Sequence, residues 1–411
     1  MTSRPCRSCA TELRHTVADL GMSPIANAFR TEQQLDEMEA FFPLKTFVCE
    51  RCFLVQLGEF QTPQQLFSDY AYFSSYSDTW LLHAEAYTQN MVSRFGFGPQ
   101  HQVVEVASND GYLLRNFAAR GVRVLGVEPA ANVARVAQEA GIPTRVEFFG
   151  VQTAEELKAE GYEADLVVGN NVLAHVPDVN DFVEGLARLL KPEGVLTMEF
   201  PHVVRLIAEN QFDTIYHEHF SYFSFYAAEL LFAAHGLAMF DVEMVPTHGG
   251  SLRIYVHHRD RAPHETSDRV FELRAEEGAF GIDRVETYAQ FAEHVKETKR
   301  SLLRLLLGLR EEGKTIAGYG APAKGNTLLN YCGIHTDVLD YTVDRSPHKQ
   351  GLFLPGTHIP IHEPDHIRET RPDYVLILPW NLRDEIIEQM CYVREWGGRF
   401  IVAIPSVEVI G

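Results

Sequence analysis

A short segment, Tyr216-His217-Glu218-His219, carries side chains that could move a proton. His is the usual general base near neutral pH, because its unperturbed pKa is about 6.5. A neighbouring Glu can orient the imidazole and stabilise its protonated form, and a Tyr hydroxyl can donate to a developing oxyanion. We therefore expect acid–base chemistry here. Which of His217 and His219 points inward stays open, as do a metal-binding and a purely structural use of the segment.

Four cysteines form two C-x-x-C knuckles, Cys6 with Cys9 and Cys49 with Cys52. Each knuckle presents two thiolates from one tight turn, which is how a tetrahedral zinc ion is held. Four protein ligands leave no open position, so the zinc is expected to be structural and an insertion at about 22–42 to loop out. A redox C-x-x-C is disfavoured, because it comes singly and opens a helix. The two remaining cysteines are expected to be small buried residues: Cys332 and Cys391.

The stretch from Val103 to Glu128 predicts a strand, a tight polar loop, a helix and a second strand. In open α/β sheets, ligands bind outside the carboxyl ends of the strands. A carboxylate ending the second strand suits a ribose diol, since it only accepts hydrogen bonds. G-x-G-x-x-G is absent, so S-adenosylmethionine fits better than a dinucleotide; a βαβ unit without a ligand is the alternative. The candidate cofactor-binding residues here are Glu105, Ser108, Asn109, Asp110, Gly111 and Glu128.

The α/β alternation continues through strands predicted at 144–147, 164–169 and 195–200, and an antiparallel pair at 238–245 and 252–258 closes the sheet. Phe148 could flank an adenine, and Asn170 and His175 fall at the same carboxyl edge. Core packing of Phe148 and a structural use of His175 are the alternatives. The aromatic and hydroxyl-rich stretch at 66–76 is either a linker helix or a strap that offers the hydroxyls of Tyr72 and Ser74 to the ligand.

The C-terminal part predicts a long helix at 288–312 and then strands at 315–317, 338–343, 374–378 and 400–404, which is typical of a second Rossmann-like unit. A Gly-rich loop, GYGAPAKGN, lies between the first strand and the next helix. Such a loop can hold phosphate oxygens through backbone N–H groups. Purely structural use of the loop is the alternative. The candidate substrate-binding residues are Tyr319, Lys324 and Asn326.

Composition restricts the partners of this 411-residue chain. Its 36 Lys and Arg against 56 Asp and Glu give a net charge of −20, which argues against a nucleic-acid partner. No run of 18 or more apolar residues is present, so no membrane span is expected. The first ten residues lack the apolar core of a signal peptide, and a cytoplasmic location is expected.

Several of these motifs together resemble a known family. The order of ASNDG, VEP, GNNVLAHVPD and KPEG is similar to that of class I S-adenosylmethionine-dependent methyltransferases. The zinc knuckles before it, FDTIYHEHFSYFS after it and the GYGAPAKGN loop resemble bacterial sugar C-methyltransferases that act on nucleotide-linked 4-keto-deoxyhexoses. The resemblance covers essentially the whole chain. It implies methylation of a carbon beside the ketone, typically C3, with His219 as base, and it implies site positions at Tyr72, His175, Tyr216, Glu218 and His219.

The expected architecture is therefore α/β in three parts: a zinc-binding module (1–66), a class I methyltransferase domain (67–285) and a Rossmann-like domain (286–411) that contributes to nucleotide-sugar binding. Three alternatives stay open. They are an O- or N-methyltransferase, a nicotinamide-dependent sugar oxidoreductase that uses the Gly318–Gly325 loop, and a zinc-ribbon binding protein. The identity of the nucleotide, the stereochemistry and the oligomeric state are not indicated.

Overall fold

Three β-sheets organise the chain in a computed structural model that describes residues 4–60, 62, 74–76 and 78–411. They are a four-stranded sheet near the N-terminus, a seven-stranded sheet in the middle and a six-stranded sheet near the C-terminus. The predicted fold class is confirmed: a cysteine-bearing module precedes a Rossmann-like core, and an α/β unit follows it. The division at residues 66 and 285 stays a prediction.

The N-terminal sheet is antiparallel and contains β1 (His15–Ser23), β2 (Phe42–Val48) and β3 (Val55–Leu57). One knuckle precedes β1, and the other forms the turn between β2 and β3. Residues 24–41 loop out between β1 and β2, as the spacing of the knuckles predicted. The fourth strand, β9 (Ser221–Tyr222), comes from the central part of the chain and pairs with β3.

The central sheet has the order β10-β11-β8-β7-β4-β5-β6. Its five parallel strands are β4 (Gln102–Val106), β5 (Arg123–Val127), β6 (Thr144–Arg145), β7 (Ala164–Asn170) and β8 (Leu190–Pro201). The predicted antiparallel pair closes one side as β10 (Leu237–Val245) and β11 (Ser251–His258). The helices of this part are α1 (Asp78–Phe95), α2 (Leu114–Ala118), α3 (Ala131–Glu139), α4 (Val151–Ala159), α5 (Val179–Leu189), α6 (Val203–Ala208), α7 (Phe225–Ala234) and α8 (Asp268–Phe280).

The C-terminal sheet follows a 27-residue helix, α9 (Val285–Glu311), and has the order β14-β13-β12-β15-β16-β17. Its first five strands are parallel and the last is antiparallel. Its elements in chain order are β12 (Ile316–Tyr319), α10 (Ala323–Cys332), β13 (Thr342–Val343), β14 (Ile361–His362), α11 (His366–Thr370), β15 (Tyr374–Ile377), α12 (Arg383–Gln389), β16 (Arg399–Val402) and β17 (Glu408–Ile410).

Two expectations for this part were wrong in detail. The strand predicted at 338–343 is confined to β13, because the N–H groups of Val338 and Leu339 both donate to the carbonyl of His335 and close a turn. Cys391 is exposed rather than buried, whereas Cys332 is buried as expected. Within the described residues, no helix is both long and apolar enough to cross a membrane.

One hydrophobic core joins the N-terminal sheet to the C-terminal part. Val17 and Leu44 of the N-terminal sheet belong to the same buried cluster as Tyr288 and Phe291 of α9 and Ile316 of β12. The amphipathic spacing of α9 makes this joint, because the helix buries one stripe along its length. The zinc module is therefore packed against the last third of the chain as well as against the central sheet.

Candidate active site

A cavity of about 870 Å³ opens at the carboxyl edge of the central sheet. All three parts of the chain contribute to its wall: the β1–β2 loop, the central sheet edge with residues 211–223, and the C-terminal domain. The residues predicted for the site that line it are Asn109, Glu128, Phe148, Asn170, His175, Tyr216, Glu218, His219 and Lys324. Tyr72 lies outside the described residues.

At one end of the cavity, the Glu128 carboxylate is held at the tip of β5 by two backbone N–H groups. Asn109 donates to Oε2 and Ala130 to Oε1, each at 2.9 Å. Burial raises the pKa of Glu128, and these two hydrogen bonds act against that rise. Because a carboxylate oxygen can accept more than one hydrogen bond, both oxygens keep capacity for a ribose diol. This end of the cavity therefore fits the adenosyl part of S-adenosylmethionine.

The loop after β4 reaches the cavity through an unusual backbone. Ala107, Asn109 and Gly111 have positive φ angles of 54°, 49° and 76°, a region that favours glycine and asparagine. The Asn109 and Asp110 side chains accept from the N–H groups of Ser74 and Ser75 at 2.9 and 3.0 Å. The loop thus fixes Ser74 and Ser75, and Ser74 lines the cavity.

Four of the predicted cofactor-binding residues are buried and do not line the cavity: Glu105, Ser108, Asp110 and Gly111. Burial raises the pKa of Glu105 well above its usual value, and the carboxylates of Asp110 and Glu128 add to the shift. Asp110 instead ties down Ser75, as described above. These buried residues support the loop rather than line the cavity. The sequence predicted the stretch as a whole but did not distinguish the residues that line the cavity from those that support them.

Two imidazoles that line the cavity, those of His175 and His219, lie edge-on to each other. His219 Nδ1 lies 2.9 Å from the Thr214 carbonyl oxygen, and His175 Nδ1 lies 2.9 Å from the Glu218 carbonyl oxygen. Since a carbonyl can only accept, each Nδ1 donates, and Nε2 is the basic nitrogen of each neutral ring. The two ring centroids are 4.8 Å apart, and the Tyr216 ring centroid is 4.0 Å from that of His219. Main-chain carbonyls, which do not titrate, thus orient both rings.

The Glu218 carboxylate lies on the same wall and is 4% exposed. Its Oε1 accepts from Asn27 Nδ2 at 2.7 Å. Burial raises the pKa of Glu218 to about 7, and the hydrogen bond from Asn27 opposes that rise. Its charge therefore changes near neutral pH. Asn27 stands on the β1–β2 loop, and no motif in the sequence pointed to it.

The sequence left His217 and His219 as equal candidates for the inward position. His217 is 4% exposed and packs edge-on against Phe42 and Phe60, with ring centroids 5.9 and 6.3 Å away. It does not line the cavity, whereas His219 does. The turn of the chain within this segment explains the difference, since residues two apart are not equivalent when the chain turns between them.

The C-terminal domain contributes two lysines to the cavity wall, Lys324 and Lys349. Lys324 Nζ donates to Asn381 Oδ1 at 2.8 Å and lies 4.4 Å from the Trp380 ring centroid. Burial lowers the pKa of Lys324, and the Asp213 carboxylate opposes the shift. Lys349 Nζ donates to the Ala321 carbonyl at 2.9 Å. Lys349 had no motif around it and was missed in the sequence.

Tyr319 and Asn326, predicted with Lys324 as substrate-binding residues, lie away from the cavity wall. Tyr319 is in the hydrophobic core of the C-terminal part. Asn326 is 1% exposed, and its Nδ2 donates to the carbonyl of Ala26 at 2.6 Å. Their place on a Gly-rich loop suggested a ligand, but their side chains are occupied inside the protein. Of the three, Lys324 remains a candidate.

The four knuckle sulfurs lie within 4.8 Å of one another. The Sγ atoms of Cys6 and Cys52 are 3.5 Å apart, as are those of Cys9 and Cys49. A tetrahedron with Zn–S bonds of about 2.3 Å needs sulfurs about 3.8 Å apart. Gln56 Nε2 also donates to Cys6 Sγ at 3.2 Å, and a donor beside the sulfur favours a thiolate. The residues therefore fit a structural zinc ion.

Comparison with known proteins agrees with this geometry. A zinc-binding domain model matches residues 6–67, a methyltransferase domain model matches 81–242, and a model of the C-methyltransferase C-terminal domain matches 246–405. The C-methyltransferase NovU of Streptomyces niveus is 38% identical over 405 residues, which is 98% of this chain and 96% of NovU. This chain belongs to the C-methyltransferase family. It is an S-adenosylmethionine-dependent enzyme, and its four-cysteine cluster lies within the zinc-binding domain of the family.

Two more distant likenesses cover smaller shares of this C-methyltransferase. A ubiquinone biosynthesis O-methyltransferase of Bartonella tribocorum is 30% identical over 96 residues, 23% of this chain and 39% of that protein. The structure of magnesium protoporphyrin IX methyltransferase from Synechocystis PCC 6803 with bound SAM superposes with a TM-score of 0.34 at 15% identity, covering 50% of this chain and 88% of that one. Neither adds to the family assignment.

Replacing Cys52 by Ser should release the zinc and disable the enzyme. The zinc would lose one of its four ligands, which is also one of the two in the turn between β2 and β3, and β3 is the strand that pairs with β9. We expect less than one zinc per chain, a melting temperature lower by about 10 °C or more, and loss of turnover. Metal analysis and calorimetry measure this, with the exposed Cys391→Ser as control. A Cys52→Ser protein that keeps its zinc and its rate would contradict the assignment.

Replacing Glu218 by Gln should change how stability depends on pH. Since burial raises the pKa of Glu218 from 4.5 to about 7, the folded wild type is favoured below pH 4.5 and loses stability as the pH rises through 7. Each pKa unit corresponds to about 1.4 kcal/mol. The free energy of unfolding of the variant, relative to that of the wild type, should therefore rise by about 3 kcal/mol between pH 4.5 and pH 8. Urea unfolding at the two pH values measures it. The control Glu37→Gln, at an exposed position, should show no such rise. If the free energy of unfolding of Glu218→Gln differed from that of the wild type by the same amount at both pH values, the raised pKa of Glu218 would be refuted.

Proposed function

We propose that the enzyme transfers a methyl group from S-adenosylmethionine to C3 of a nucleotide-linked 4-keto-deoxyhexose. One observation carries the proposal: a single cavity joins the Glu128 edge, the paired imidazoles of His175 and His219, and the lysines of the C-terminal domain. A substrate that spans these features needs an acidic C–H near the imidazoles and an anionic group near the lysines. A keto sugar joined to a diphosphate has both.

The paired imidazoles suit proton removal beside a ketone. His219 Nε2 would take the proton from C3, leaving the C–H electron pair as an enolate whose negative charge rests on the ketone oxygen. When bound, S-adenosylmethionine would supply the electrophilic methyl group: the enolate carbon would bond to this methyl as its bond to sulfur breaks, and the sulfur would keep that electron pair in the leaving S-adenosylhomocysteine. The Tyr216 hydroxyl, or His175 once its Nε2 is protonated, would donate to the enolate oxygen, and such a donor is worth most where water is excluded. Because the Thr214 carbonyl holds Nδ1 of His219, Nε2 would be the nitrogen that takes the proton, and the ring would already be held in place.

The charge on Glu218 fits this sequence of events. An ionised carboxylate in the cavity that the imidazoles line would stabilise the imidazolium formed when His219 takes the proton. Because burial raises the pKa of Glu218 to about 7, its carboxylate is ionised above neutral pH and protonated below it. The same carboxylate in water would be ionised throughout this range.

The two lysines suit the anionic part of the substrate. The chain carries a net charge of −20, so two ammonium groups on one cavity wall are a local exception. Lys324 Nζ and Lys349 Nζ are each anchored by one neutral acceptor, Asn381 Oδ1 and the Ala321 carbonyl. An ammonium group has three donors, so each keeps donors for phosphate oxygens. The Lys349–Asp344 ion pair is longer, at 3.7 Å.

Hydrogen exchange separates this proposal from O- or N-methylation. Only an enzyme that forms the enolate washes deuterium from heavy water into C3 of the keto sugar. Incubation of the enzyme with dTDP- or UDP-linked 4-keto-6-deoxyhexoses and S-adenosylhomocysteine in heavy water, followed by NMR, measures it. Deuterium at C3 supports the proposal. Methylated product without exchange and with the new methyl on oxygen would replace it with the alternative.

Replacing His219 by Ala should abolish both exchange and turnover. Loss of a general base costs about 10²- to 10⁴-fold in kcat, while the Kd for S-adenosylmethionine should stay unchanged because Glu128 and the Asn109 loop remain. His217→Phe, which preserves packing against Phe42 and Phe60, is the matched control and should keep the rate. Single-turnover kinetics and titration calorimetry measure the two effects. A His219→Ala enzyme that exchanges deuterium at the normal rate would remove His219 as base.

Replacing Lys324 or Lys349 by Ala should weaken substrate binding alone. A hydrogen bond to a charged group is worth about 1.5–3 kcal/mol, so we expect KM for the nucleotide sugar to rise about 10-fold or more in each variant. The Kd for S-adenosylmethionine should not change. Lys296→Ala, on the exposed face of α9, is the control. Steady-state kinetics decides: a variant with both constants unchanged would exclude that lysine from the site.

A further inference from the structure

The β1–β2 loop, residues 24–41, crosses from the zinc module to the C-terminal domain and is fastened there at several points. Asn326 Nδ2 donates to the Ala26 carbonyl at 2.6 Å. Arg30 and Phe353 exchange main-chain hydrogen bonds of 2.9 and 2.8 Å. Near the end of the loop, Glu39 Oε1 accepts from the N–H of Gly356 at 2.9 Å. The loop is therefore held in place by a domain more than 280 residues away in the chain.

A tight turn near the beginning of the loop carries Asn27, which lines the cavity. Ala28 donates to the Ile25 carbonyl at 3.1 Å, and Phe29 donates to the Asn27 carbonyl at 3.0 Å. The residue immediately before Asn27, Ala26, is the one whose carbonyl Asn326 holds. Asn27 Nδ2 lies 2.7 Å from Glu218 Oε1, and both residues line the cavity. The neutral amide of Asn27 is thus hydrogen-bonded to the buried carboxyl group of Glu218, and the backbone next to it is held by Asn326 of the C-terminal domain.

We propose that Asn27 is a positioning residue for C-methylation, set in place by Asn326, and that it acts by holding the Glu218 carboxylate in its ionised form in the cavity that the paired imidazoles line. The proposal rests on the proposed function for the role of Glu218. It also explains the burial of Asn326, which does not touch the cavity, because its amide fixes the backbone on which Asn27 stands. The zinc module then contributes to the reaction through the loop that it begins and ends.

The physical reason is the asymmetry of the hydrogen bond. Asn27 Nδ2 can only donate, so its bond is stronger to a carboxylate than to a protonated carboxyl group. No charge is added to the cavity, unlike a Lys or Arg at the same place, which would form a permanent ion pair with Glu218. Asn27 therefore lowers the pKa of a buried acid while leaving it able to change charge during turnover.

Three variants test this in the full-length zinc-bound enzyme. Asn27→Ala removes the donor, and Asn27→Asp keeps the shape but places a second carboxylate beside Glu218. We expect the acidic limb of the kcat/KM profile to move up by about one pH unit in Asn27→Ala and further in Asn27→Asp. Asn326→Ala should shift it in the same direction by less. Gln33→Ala removes an exposed amide from the same loop and, as the control, should leave the profile unchanged. The Kd for S-adenosylmethionine should be constant in all four.

A double-mutant cycle separates positioning from a structural role. In the Glu218→Gln background, Asn27→Ala should have no further effect on the pH profile. A shift of equal size in that background, or a uniform loss of rate at every pH, would overturn the proposal.

Urea unfolding distinguishes the failure of this proposal from failure of the proposed function. Asn27→Ala should lower the unfolding midpoint more at pH 8 than at pH 5, and the difference should vanish with Glu218→Gln. A wild-type enzyme that leaves keto sugars unmethylated, with this coupling present, overturns the proposed function and with it the catalytic role of Asn27. A normal enzyme in which the midpoint falls equally at both pH values overturns the Asn27–Glu218 coupling alone.

Discussion

The short antiparallel pairing of β3 with β9 is the contact on which the rest of the site depends. Val55 and Gln56 of the zinc module pair with Tyr222 and Ser221, directly after the segment that carries His219. One residue earlier, Phe220 donates to the Ala174 carbonyl at 2.7 Å and accepts from the N–H of Leu57 at 2.9 Å. That backbone is thus bonded to the zinc module on one side and to the edge of the central sheet on the other.

This double attachment explains why the two imidazoles meet. Ala174 is the neighbour of His175, and Phe220 is the neighbour of His219, so the Phe220–Ala174 hydrogen bond fixes the separation of the rings at the backbone. The zinc ion has no open coordination position for a substrate when four cysteines hold it. Its contribution is mechanical: it fixes the β2–β3 turn, and β3 in turn fixes the segment on which the base stands.

The sequence located residues that line the cavity, or that cluster as cysteines, wherever they lie in one local motif. Three features are recognisable within a short stretch of sequence: the cysteine knuckles, the strand ending on Glu128 and the YHEH segment. The alternation of strands and helices likewise predicted the central sheet. Residues that reach the cavity from elsewhere carry no such signal. Asn27 and Lys349 arrive by tertiary packing, and Thr214 acts through its carbonyl, which any residue would supply. The Gly-rich loop misled for the opposite reason, since Asn326 bonds to the backbone of a distant loop rather than to a ligand.

The central claim is that a single cavity places an acidic sugar carbon between the His219 imidazole and the methyl donor. A crystal structure of the enzyme with S-adenosylhomocysteine and a nucleotide-linked 4-keto-6-deoxyhexose tests it most directly. We predict sugar C3 within reach of both His219 Nε2 and the donor sulfur, the ribose diol on Glu128, and the diphosphate on the lysine wall. A sugar ring bound with C3 remote from His219, or with a hydroxyl oxygen directed at the sulfur in its place, would contradict the account.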